Sequence, residues 1–99
     1  ILITMFSVIW LPAALHDLDR QFDFLNEKNS DVADHAVRAI LNAGASLATS
    51  PERGALIPNT NQHKLRVFFG KYGYILYYRI EDEQIFILRV YHGRENRSS

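Results

Sequence analysis

The sequence predicts an α+β fold in which one strand and a helical hairpin precede an antiparallel sheet, in the element order β-α-α-β-β-β. Two patterns carry this prediction: apolar residues recur at helical spacing between positions 11 and 47, and three β-rich runs follow between positions 63 and 92. The 99 residues suit a single domain, because domains cluster near about 100–150 residues. Hydrophobic residues make up 47% of the chain, which excludes a disordered protein.

The first eleven residues are strongly apolar and are interpreted as a buried strand, with residues 5–10 as its β-rich part. The stretch is too short to span a bilayer and lacks a small-residue cleavage site, so we predict a cytoplasmic protein with no membrane contact. The absence of cysteine excludes a cysteine-based zinc or redox site and favours a reducing compartment. Met5 is a candidate native start, with residues 1–4 as an extension, and residues 95–99 are predicted to be a flexible tail.

An apolar stripe predicts the first helix, which begins near Pro12 and ends near residues 28–29. The stripe consists of Leu11, Leu15, Leu18, Phe22 and Leu25. The opposite side is interpreted as a solvated face, and it carries Asp17, Asp19 and Asp23. This helix is therefore predicted to be amphipathic.

Ser30 is the predicted N-cap of a second helix, and Pro51 follows the end of that helix. Its apolar face is predicted to hold Val32, Ala36, Val37, Ile40, Leu41, Gly44 and Leu47. Small residues around Gly44 allow another element to approach closely. Because the connection between the two helices is very short, they are predicted to pack as an antiparallel hairpin.

Side-chain alternation sorts the three β-rich runs, residues 63–69, 72–80 and 84–92, into two faces after a loop at residues 51–62. The predicted core face holds Leu65, Val67, Phe69, Tyr74, Leu76, Tyr78, Ile80, Phe86, Leu88, Val90 and His92. The second face holds Lys64, Arg66, Phe68, Ile75, Tyr77, Arg79, Ile85, Ile87, Arg89 and Tyr91. Its mixture of cationic and apolar residues favours a binding surface over a set of merely solvated arginines. A bulge in one strand would change this sorting.

The charges are unevenly distributed, although the formal net charge is zero. Residues 1–50 hold six acidic and three basic residues, whereas residues 63–97 hold seven basic and four acidic residues. The basic second half predicts an anionic partner. The four histidines have no metal-ligand spacing, so neither a metal site nor a cofactor is predicted.

Three segments of the chain carry a recognisable pattern: residues 64–80 (KLRVFFGKYGYILYYRI), residues 85–94 (IFILRVYHGR) and residues 8–18 (VIWLPAALHDL). They resemble the ParE/RelE superfamily of toxins from type II toxin–antitoxin pairs, with the greatest similarity to ParE-like members. The element order of the superfamily is also the predicted one. The resemblance implies a toxin that a cognate antitoxin neutralises by forming a hetero-oligomer with it.

The resemblance implies one of two activities. ParE-like members inhibit DNA gyrase, whereas RelE-like members are ribosome-dependent endoribonucleases that cleave messenger RNA. When the nuclease pattern is aligned through Gly73 and Tyr74, Arg66 occupies the first basic position, but Phe68 and Ile75 stand where basic residues are expected. The incomplete pattern favours a gyrase inhibitor that has no catalytic residue. A third alternative is an interaction module that has lost its toxicity.

Each alternative assigns its own residues. For a nuclease, the resemblance implies that catalysis rests on His92, Arg66, Arg79 and Arg94, although alternation places His92 on the core side. For a gyrase inhibitor, the predicted target contacts are Arg89, His92, Arg94 and Arg97. For both, the predicted antitoxin contacts are Arg66, Tyr77, Arg79, Arg89, Tyr91, Leu18 and Phe22.

Overall fold

A computed structural model of the protein describes residues 5–95, which form two helices and a five-stranded sheet. The elements in chain order are β1 (Ser7–Trp10), α1 (Pro12–Asn26), α2 (Ser30–Ser46), β2 (Ala55–Leu56), β3 (Gln62–Val67), β4 (Tyr74–Glu81) and β5 (Gln84–His92). The predicted fold class is confirmed, and β2 is a short addition within the predicted loop. The predictions for residues 1–4 and for Arg97 lie outside the described residues, as do residues 96–99 of the predicted tail (residues 95–99).

The sheet has one parallel pair of strands, where the sequence predicted only antiparallel ones. Its strand order is β1-β5-β4-β3-β2, and β1 runs parallel to β5 while the other neighbours are antiparallel. β1 is half-buried rather than buried because it forms an edge of the sheet, where β5 is its one neighbour among the described strands. The first and last parts of the described chain are thereby brought together.

The second helix begins one residue earlier than predicted, because Asn29 is its N-cap instead of Ser30. The Asn29 side-chain oxygen accepts hydrogen bonds from the N–H groups of Asp31 (2.9 Å) and Val32 (3.1 Å). Asparagine and serine are equally good caps, and the extended backbone of Asn29 is what a cap requires. Val32, which the sequence placed on the apolar face of this helix, is exposed.

The close approach predicted around Gly44 is present. The ring of Trp10 lies against α2 at this point, and a Cβ atom on Gly44 would stand 2.6 Å from Trp10 Cζ2. Ala36, Ile40 and Gly44 are buried, whereas Leu41 is exposed, contrary to the prediction. The small residue therefore allows the strand-borne tryptophan to pack directly on the helix.

The first helix buries a different stripe from the one that its apolar residues predict. The buried residues are Ala14, Asp17, Leu18 and Gln21, whereas Leu15 is exposed. The prediction that Asp17 lies on a solvated face is wrong, since this residue is only 3% exposed. Asp17 and Gln21 make polar contacts with β5 and with Glu95 in the turn that follows it.

A β-bulge in β5 separates two parts of that strand. Tyr77 pairs with Arg89, but the next residue, Tyr78, pairs with Ile87, so that Leu88 is the extra residue. An extra residue shifts side-chain alternation by one position, and the two parts of β5 therefore present opposite parities to the core.

This bulge makes the predicted sorting of β5 wrong before Leu88 and right after it. Ile85 and Ile87 are fully buried in the core, and neither Phe86 nor Leu88 is a buried core residue. The sorting of β3 and β4 is confirmed by the burial of Leu65, Val67, Tyr74, Leu76 and Tyr78. The helices cover this side of the sheet, and the other side is open.

Candidate functional site

A side chain of α1 closes part of the edge of β5. The last residue of β1, Trp10, pairs with Ile87, and beyond this point no other described strand pairs with β5 on that side. Asp17 occupies the vacant position, where its Oδ2 atom accepts a hydrogen bond from the N–H of Val90 at 2.9 Å. Because a buried backbone N–H needs an acceptor, the carboxylate takes over the role of a strand neighbour.

The same carboxylate joins two arginines. Arg89 donates from Nε and Nη2 to the two Asp17 oxygens at 2.7 and 3.0 Å, and Arg20 donates to Oδ1 at 3.4 Å. Burial by itself raises the pKa of Asp17, but the hydrogen bonds from Arg89 and from the N–H of Val90 outweigh it and hold the pKa below its usual value. Asp17 in turn raises the pKa of Arg89. Arg89 therefore stays charged, and Asp17 holds its guanidinium in one position.

Glu95 organises the turn that follows β5. Its Oε1 atom accepts hydrogen bonds from the N–H of His92 (2.7 Å), from Gln21 (2.9 Å) and from Arg20 (3.3 Å). Partial burial raises the pKa of Glu95, but these hydrogen bonds outweigh it, so that the pKa lies below its usual value. The turn is therefore tied to α1 by side chains that are far apart in sequence.

The glycine in this turn is required by a close backbone approach. The N–H of Gly93 donates to the carbonyl oxygen of Gly73 at 2.8 Å. A Cβ atom on Gly93 would stand 2.0 Å from the carbonyl oxygen of Tyr72, which leaves no space for a side chain. The His–Gly pair in the sequence thus marks the point where the C-terminal turn packs on the β3–β4 connection.

A groove of about 700 Å³ opens between α1 and this turn. We call it the α1 groove. The residues that line it are Arg20, Gln21, Phe24, Tyr72, His92, Arg94 and Glu95. The His92 ring lies 5.8 Å from the ring of Tyr72 and 5.5 Å from that of Tyr74, between centroids. Its Nδ1 atom accepts a hydrogen bond from the N–H of Arg94 at 3.1 Å. These contacts hold His92 at one wall of the groove.

The side of the sheet away from the helices is called the open face. It carries basic residues interspersed with aromatic ones. Its members are Lys64, Arg66, Ile75, Tyr77, Arg79, Phe86, Arg89 and Tyr91. The Arg79 guanidinium lies 4.6 Å from the centre of the Phe86 ring, and that of Arg89 lies 4.8 Å from the centre of the Tyr91 ring. Such contacts spread a cation over an aromatic surface and reduce its freedom.

Half of the open-face cations are neutralised by carboxylates. Arg79 Nε lies 2.6 Å from an oxygen of Glu81, and Arg89 is held by Asp17. Lys64 and Arg66 are exposed and form no ion pair within residues 5–95. The charge that this face offers to a partner therefore comes mainly from Lys64 and Arg66.

The structure does not bring the predicted nuclease residues together. Arg66 and Arg79 lie on the open face, whereas His92 and Arg94 line the α1 groove on the side of the helices. His92 is half-buried on the core side, as alternation predicts. The four predicted nuclease residues are thus divided between the two sides of the sheet.

The predicted target contacts are also divided. His92 and Arg94 share the α1 groove, whereas Arg89 lies on the open face and is paired with Asp17. Most of the predicted antitoxin contacts share the open face: Arg66, Tyr77, Arg79, Arg89 and Tyr91. Phe22 is half-buried, and Leu18 is buried in the core, where little of its surface is left for a partner.

Sequence reasoning missed several members of the α1 groove. The hydrogen bonds that join Glu95 to Arg20 and Gln21 connect residues about 75 positions apart, so no local sequence pattern predicts them. Phe24 is different, because it is an apolar residue outside the predicted apolar stripe of α1. Because single exposed aromatic residues are common on protein surfaces, the sequence alone does not mark Phe24 as a member of the groove.

Residues 5–95 contain no group of three or more histidine, aspartate or glutamate side chains placed to bind a metal ion. Neither helix in this part of the chain is long and apolar enough to cross a membrane. The cytoplasmic location stays a prediction.

Comparison with known proteins identifies similar sequences along almost the whole chain. Residues 8–97 match the family model described as the ParE toxin of the type II toxin–antitoxin system parDE. Toxin RelE3 of Caulobacter vibrioides is 33% identical over 93 residues, which cover 94% of this chain and 100% of the relative. Toxin RelE1 of the same organism is 27% identical over 92 residues, which cover 93% of this chain and 98% of the relative.

Solved structures have the same fold. The chromosomal ParDE toxin–antitoxin system from P. aeruginosa contains a chain that matches with a TM-score of 0.76 and 22% identity, covering 90% of this chain and 97% of that one. The toxin–antitoxin complex RelBE2 from Mycobacterium tuberculosis contains a chain with a TM-score of 0.66 and 20% identity, covering 95% and 98%.

Proposed function

The chain belongs to the ParE toxin family of type II toxin–antitoxin systems, and on this premise we propose that it inhibits DNA gyrase and is neutralised by a cognate antitoxin. In this proposal the toxin acts by binding gyrase and has no catalytic residue. The target-binding surface is the C-terminal turn with the α1 groove, where His92 and Arg94 lie together. Asp17 and Glu95 hold this surface in place through α1.

The proposal rests on the positions of the four predicted nuclease residues, which lie on two different sides of the sheet. General acid–base catalysis requires side chains within about 3 Å of the same reacting atoms. Arg66 and Arg79 are on the open face, and His92 and Arg94 are on the other side of the sheet. The position opposite Arg66 on β4 is Ile75, which has no group to stabilise a phosphate. A protein that acts by binding needs no such convergence.

A supercoiling assay with purified toxin and gyrase tests the proposal. We expect the toxin to inhibit supercoiling, and we expect Arg94→Glu to raise the concentration for half-inhibition about 10-fold or more, because it reverses a charge in the proposed contact. Arg38→Glu is the matched control, since Arg38 is an exposed arginine on α2 outside both surfaces. No inhibition at toxin concentrations well above that of gyrase would contradict the proposal.

The unpaired Lys64 and Arg66 favour a second candidate function, a RelE-like endoribonuclease, because two free cations beside tyrosines on an open sheet suit RNA contacts. The names of the two Caulobacter relatives point in the same direction. Primer extension on ribosome-bound messenger RNA detects cleavage at codon positions. If His92→Ala and Arg79→Ala left such cleavage intact, the roles assigned to these residues would be wrong.

The proposed antitoxin covers the open face. Acidic side chains of an antitoxin complement Lys64 and Arg66, and its apolar residues pack on Ile75, Tyr77 and Tyr91. The structural relatives that contain an antitoxin support a protein partner for this chain. Arg66→Glu is expected to weaken the complex with the protein encoded by the adjacent reading frame, measured by calorimetry. An unchanged affinity would remove the open face from the interface.

A further inference from the structure

Another groove, which we call the α2 groove, opens between α2 and the end of β3. β2 pairs with His63 and Lys64, and beyond Lys64 no other described strand pairs with β3 on that side. The groove beside this free edge has a volume of about 300 Å³. The residues that line it are Ala39, Asn42, Ala43, Arg53, Arg66, Val67 and Phe68. Its volume is at the lower end of the range of ligand pockets, which is about 300–1,000 Å³.

One wall of the α2 groove is an exposed aromatic ring. Phe68 is 84% exposed, more than any other large apolar residue in the described part of the chain. It follows Val67, the last residue of β3, whose side chain is buried in the core. Within residues 5–95 the Phe68 ring is in contact with no other ring and no cation. Single exposed apolar residues are common on proteins, so this ring indicates a site only because charged groups lie beside it.

The two cations of the α2 groove are not neutralised by carboxylates. Arg53 donates from Nη1 to the hydroxyl oxygen of Ser46 at 2.7 Å, and this partner is uncharged. Neither Arg53 nor Arg66 forms an ion pair within residues 5–95. Glu52 is adjacent to Arg53 in the sequence, but its Oε1 atom lies 3.5 Å from Nε2 of His63, and no described carboxylate lines the groove. Two guanidinium groups without a carboxylate suit a phosphate, because their planar N–H donors match its oxygens.

The α2 wall of the groove suits the base of a nucleotide. Ala39 and Ala43 lie one helical turn apart on one face of α2, and their short side chains leave space for a flat ring. The Asn42 amide between them offers both donors and an acceptor to the edge of a base. Lys64 is exposed, forms no ion pair within residues 5–95 and lies two residues before Arg66 on β3, where a second phosphate of a chain would lie.

We propose that the α2 groove binds a nucleotide of a single-stranded nucleic acid, with the base stacked on Phe68 and the phosphate held by Arg53 and Arg66. A single strand exposes the faces of its bases, whereas a duplex keeps them stacked inside, and aromatic side chains beside cations are typical of single-strand binding. This inference goes beyond the proposed function, because gyrase inhibition and antitoxin binding require no nucleic-acid contact by the toxin itself. The site binds without cleaving, since a phenylalanine ring transfers no proton.

The test measures the affinity of the purified full-length toxin for fluorescein-labelled single strands of about 12 nucleotides by fluorescence anisotropy, with DNA and RNA of one sequence. Phe68→Ala is expected to weaken binding about 10-fold, as the loss of one stacked base does, and Phe68→Trp is expected to retain it. Phe24→Ala is the matched control, because Phe24 is a 59% exposed phenylalanine on α1, outside the α2 groove, and should leave the affinity unchanged. Binding of the corresponding duplex should not depend on Phe68.

The salt dependence tests the phosphate contact separately. The logarithm of the affinity falls with the logarithm of the salt concentration, with a slope of about −0.7 for each phosphate contact on a single strand. Arg53→Ala should therefore reduce the magnitude of the slope by about 0.7. Arg38→Ala is the matched control, because Arg38 is an exposed arginine on α2 that does not line the groove, and it should leave the slope unchanged.

The outcomes separate this inference from the proposed function, since neither gyrase nor an antitoxin is present in the assay. Binding of either strand that depends on Phe68 supports the site, and the strand that binds more tightly identifies the sugar. Absence of binding to both strands, or equal binding by the wild type and Phe68→Ala, would overturn the proposal. An equal loss with the duplex would show that no base stacks on Phe68. If Phe68→Ala weakened only the complex with the protein encoded by the adjacent reading frame, the groove would be a protein contact and the proposal would be wrong.

Discussion

The open face and the α1 groove each combine paired and unpaired cations, but the first is a flat sheet surface and the second is concave. On the open face, Arg79 and Arg89 are paired with carboxylates, whereas Lys64 and Arg66 form no ion pair within residues 5–95. In the groove, Arg20 is paired with Asp17 and Glu95, whereas Arg94 lies over Tyr72 and has no carboxylate partner in the described part of the chain. The number of arginines in a segment is therefore a poor measure of the charge that its surface offers, because paired arginines are already neutralised.

Asp17 connects the two regions, since it binds Arg89 of the open face and Arg20 of the α1 groove. Its position was not evident from the sequence, where it reads as one of several acidic residues on a polar helix face. Substitutions around Asp17 therefore show whether the two surfaces are independent or are held by a common support.

The largest effect is expected for Asp17→Ala. It leaves the N–H of Val90 without an acceptor and Arg89 without its carboxylate, and we expect a loss of about 2–3 kcal/mol in the free energy of unfolding. Urea denaturation measures it. Asp19→Ala, an exposed aspartate on the same helix, is the control and is expected to change stability by less than about 0.5 kcal/mol. Equal effects of the two substitutions would show that Asp17 is not a structural support.

A second pair of substitutions compares the two arginines of Asp17. Arg89→Ala removes a bidentate contact and is expected to cost about 2 kcal/mol. Arg20→Ala removes a 3.4 Å contact and a 3.3 Å contact from a half-exposed side chain, and is expected to cost less than about 1 kcal/mol. Thermal unfolding of both variants measures the difference. If Arg20→Ala cost more stability than Arg89→Ala, the main partner of Asp17 would be Arg20, in the α1 groove.

A smaller effect is expected from pH. The pKa values of Asp17 and Glu95 are lowered in the folded protein, so their contribution to stability is fully present above the unfolded values of about 3.9 and 4.3. It is lost as the pH falls through the lower folded values. The stability difference between the wild type and Asp17→Asn should therefore shrink below about pH 4. A constant difference between pH 6 and pH 3 would contradict the assignment.

The smallest effects on stability are expected at the exposed contact residues. Phe24→Ala in the α1 groove and Arg66→Ala on the open face should each change the free energy of unfolding by less than about 0.5 kcal/mol, because both side chains are exposed. Calorimetric unfolding checks this. A larger loss for Phe24→Ala would mean that the ring stabilises α1, and the groove would then be part of the core.

The assignment of side chains to the two sides of the sheet shows where local sequence patterns predict the structure correctly and where they fail. The alternation in β3 and β4 identified the core residues Leu65, Leu76 and Tyr78 correctly, because regular strands turn every second side chain to one side. The same rule failed in β5 before Leu88, where the bulge shifts the alternation. Arg89 and His92, two residues of the candidate site, lie after the bulge. Each therefore occupies the side of the sheet that alternation predicts.

The helical hairpin, the family and the order of the elements apart from the short β2 could be predicted from the sequence, because turn residues, apolar periodicity and contiguous motifs are local properties. The buried side of α1 and the pairing of the arginines could not, because they depend on contacts that form only in the folded protein. The physical reason is that Asp17 meets Arg89 from 72 positions away, at a strand edge that exists only in the folded sheet. A carboxylate that reads as solvated in the sequence thereby becomes the link between the open face and the α1 groove.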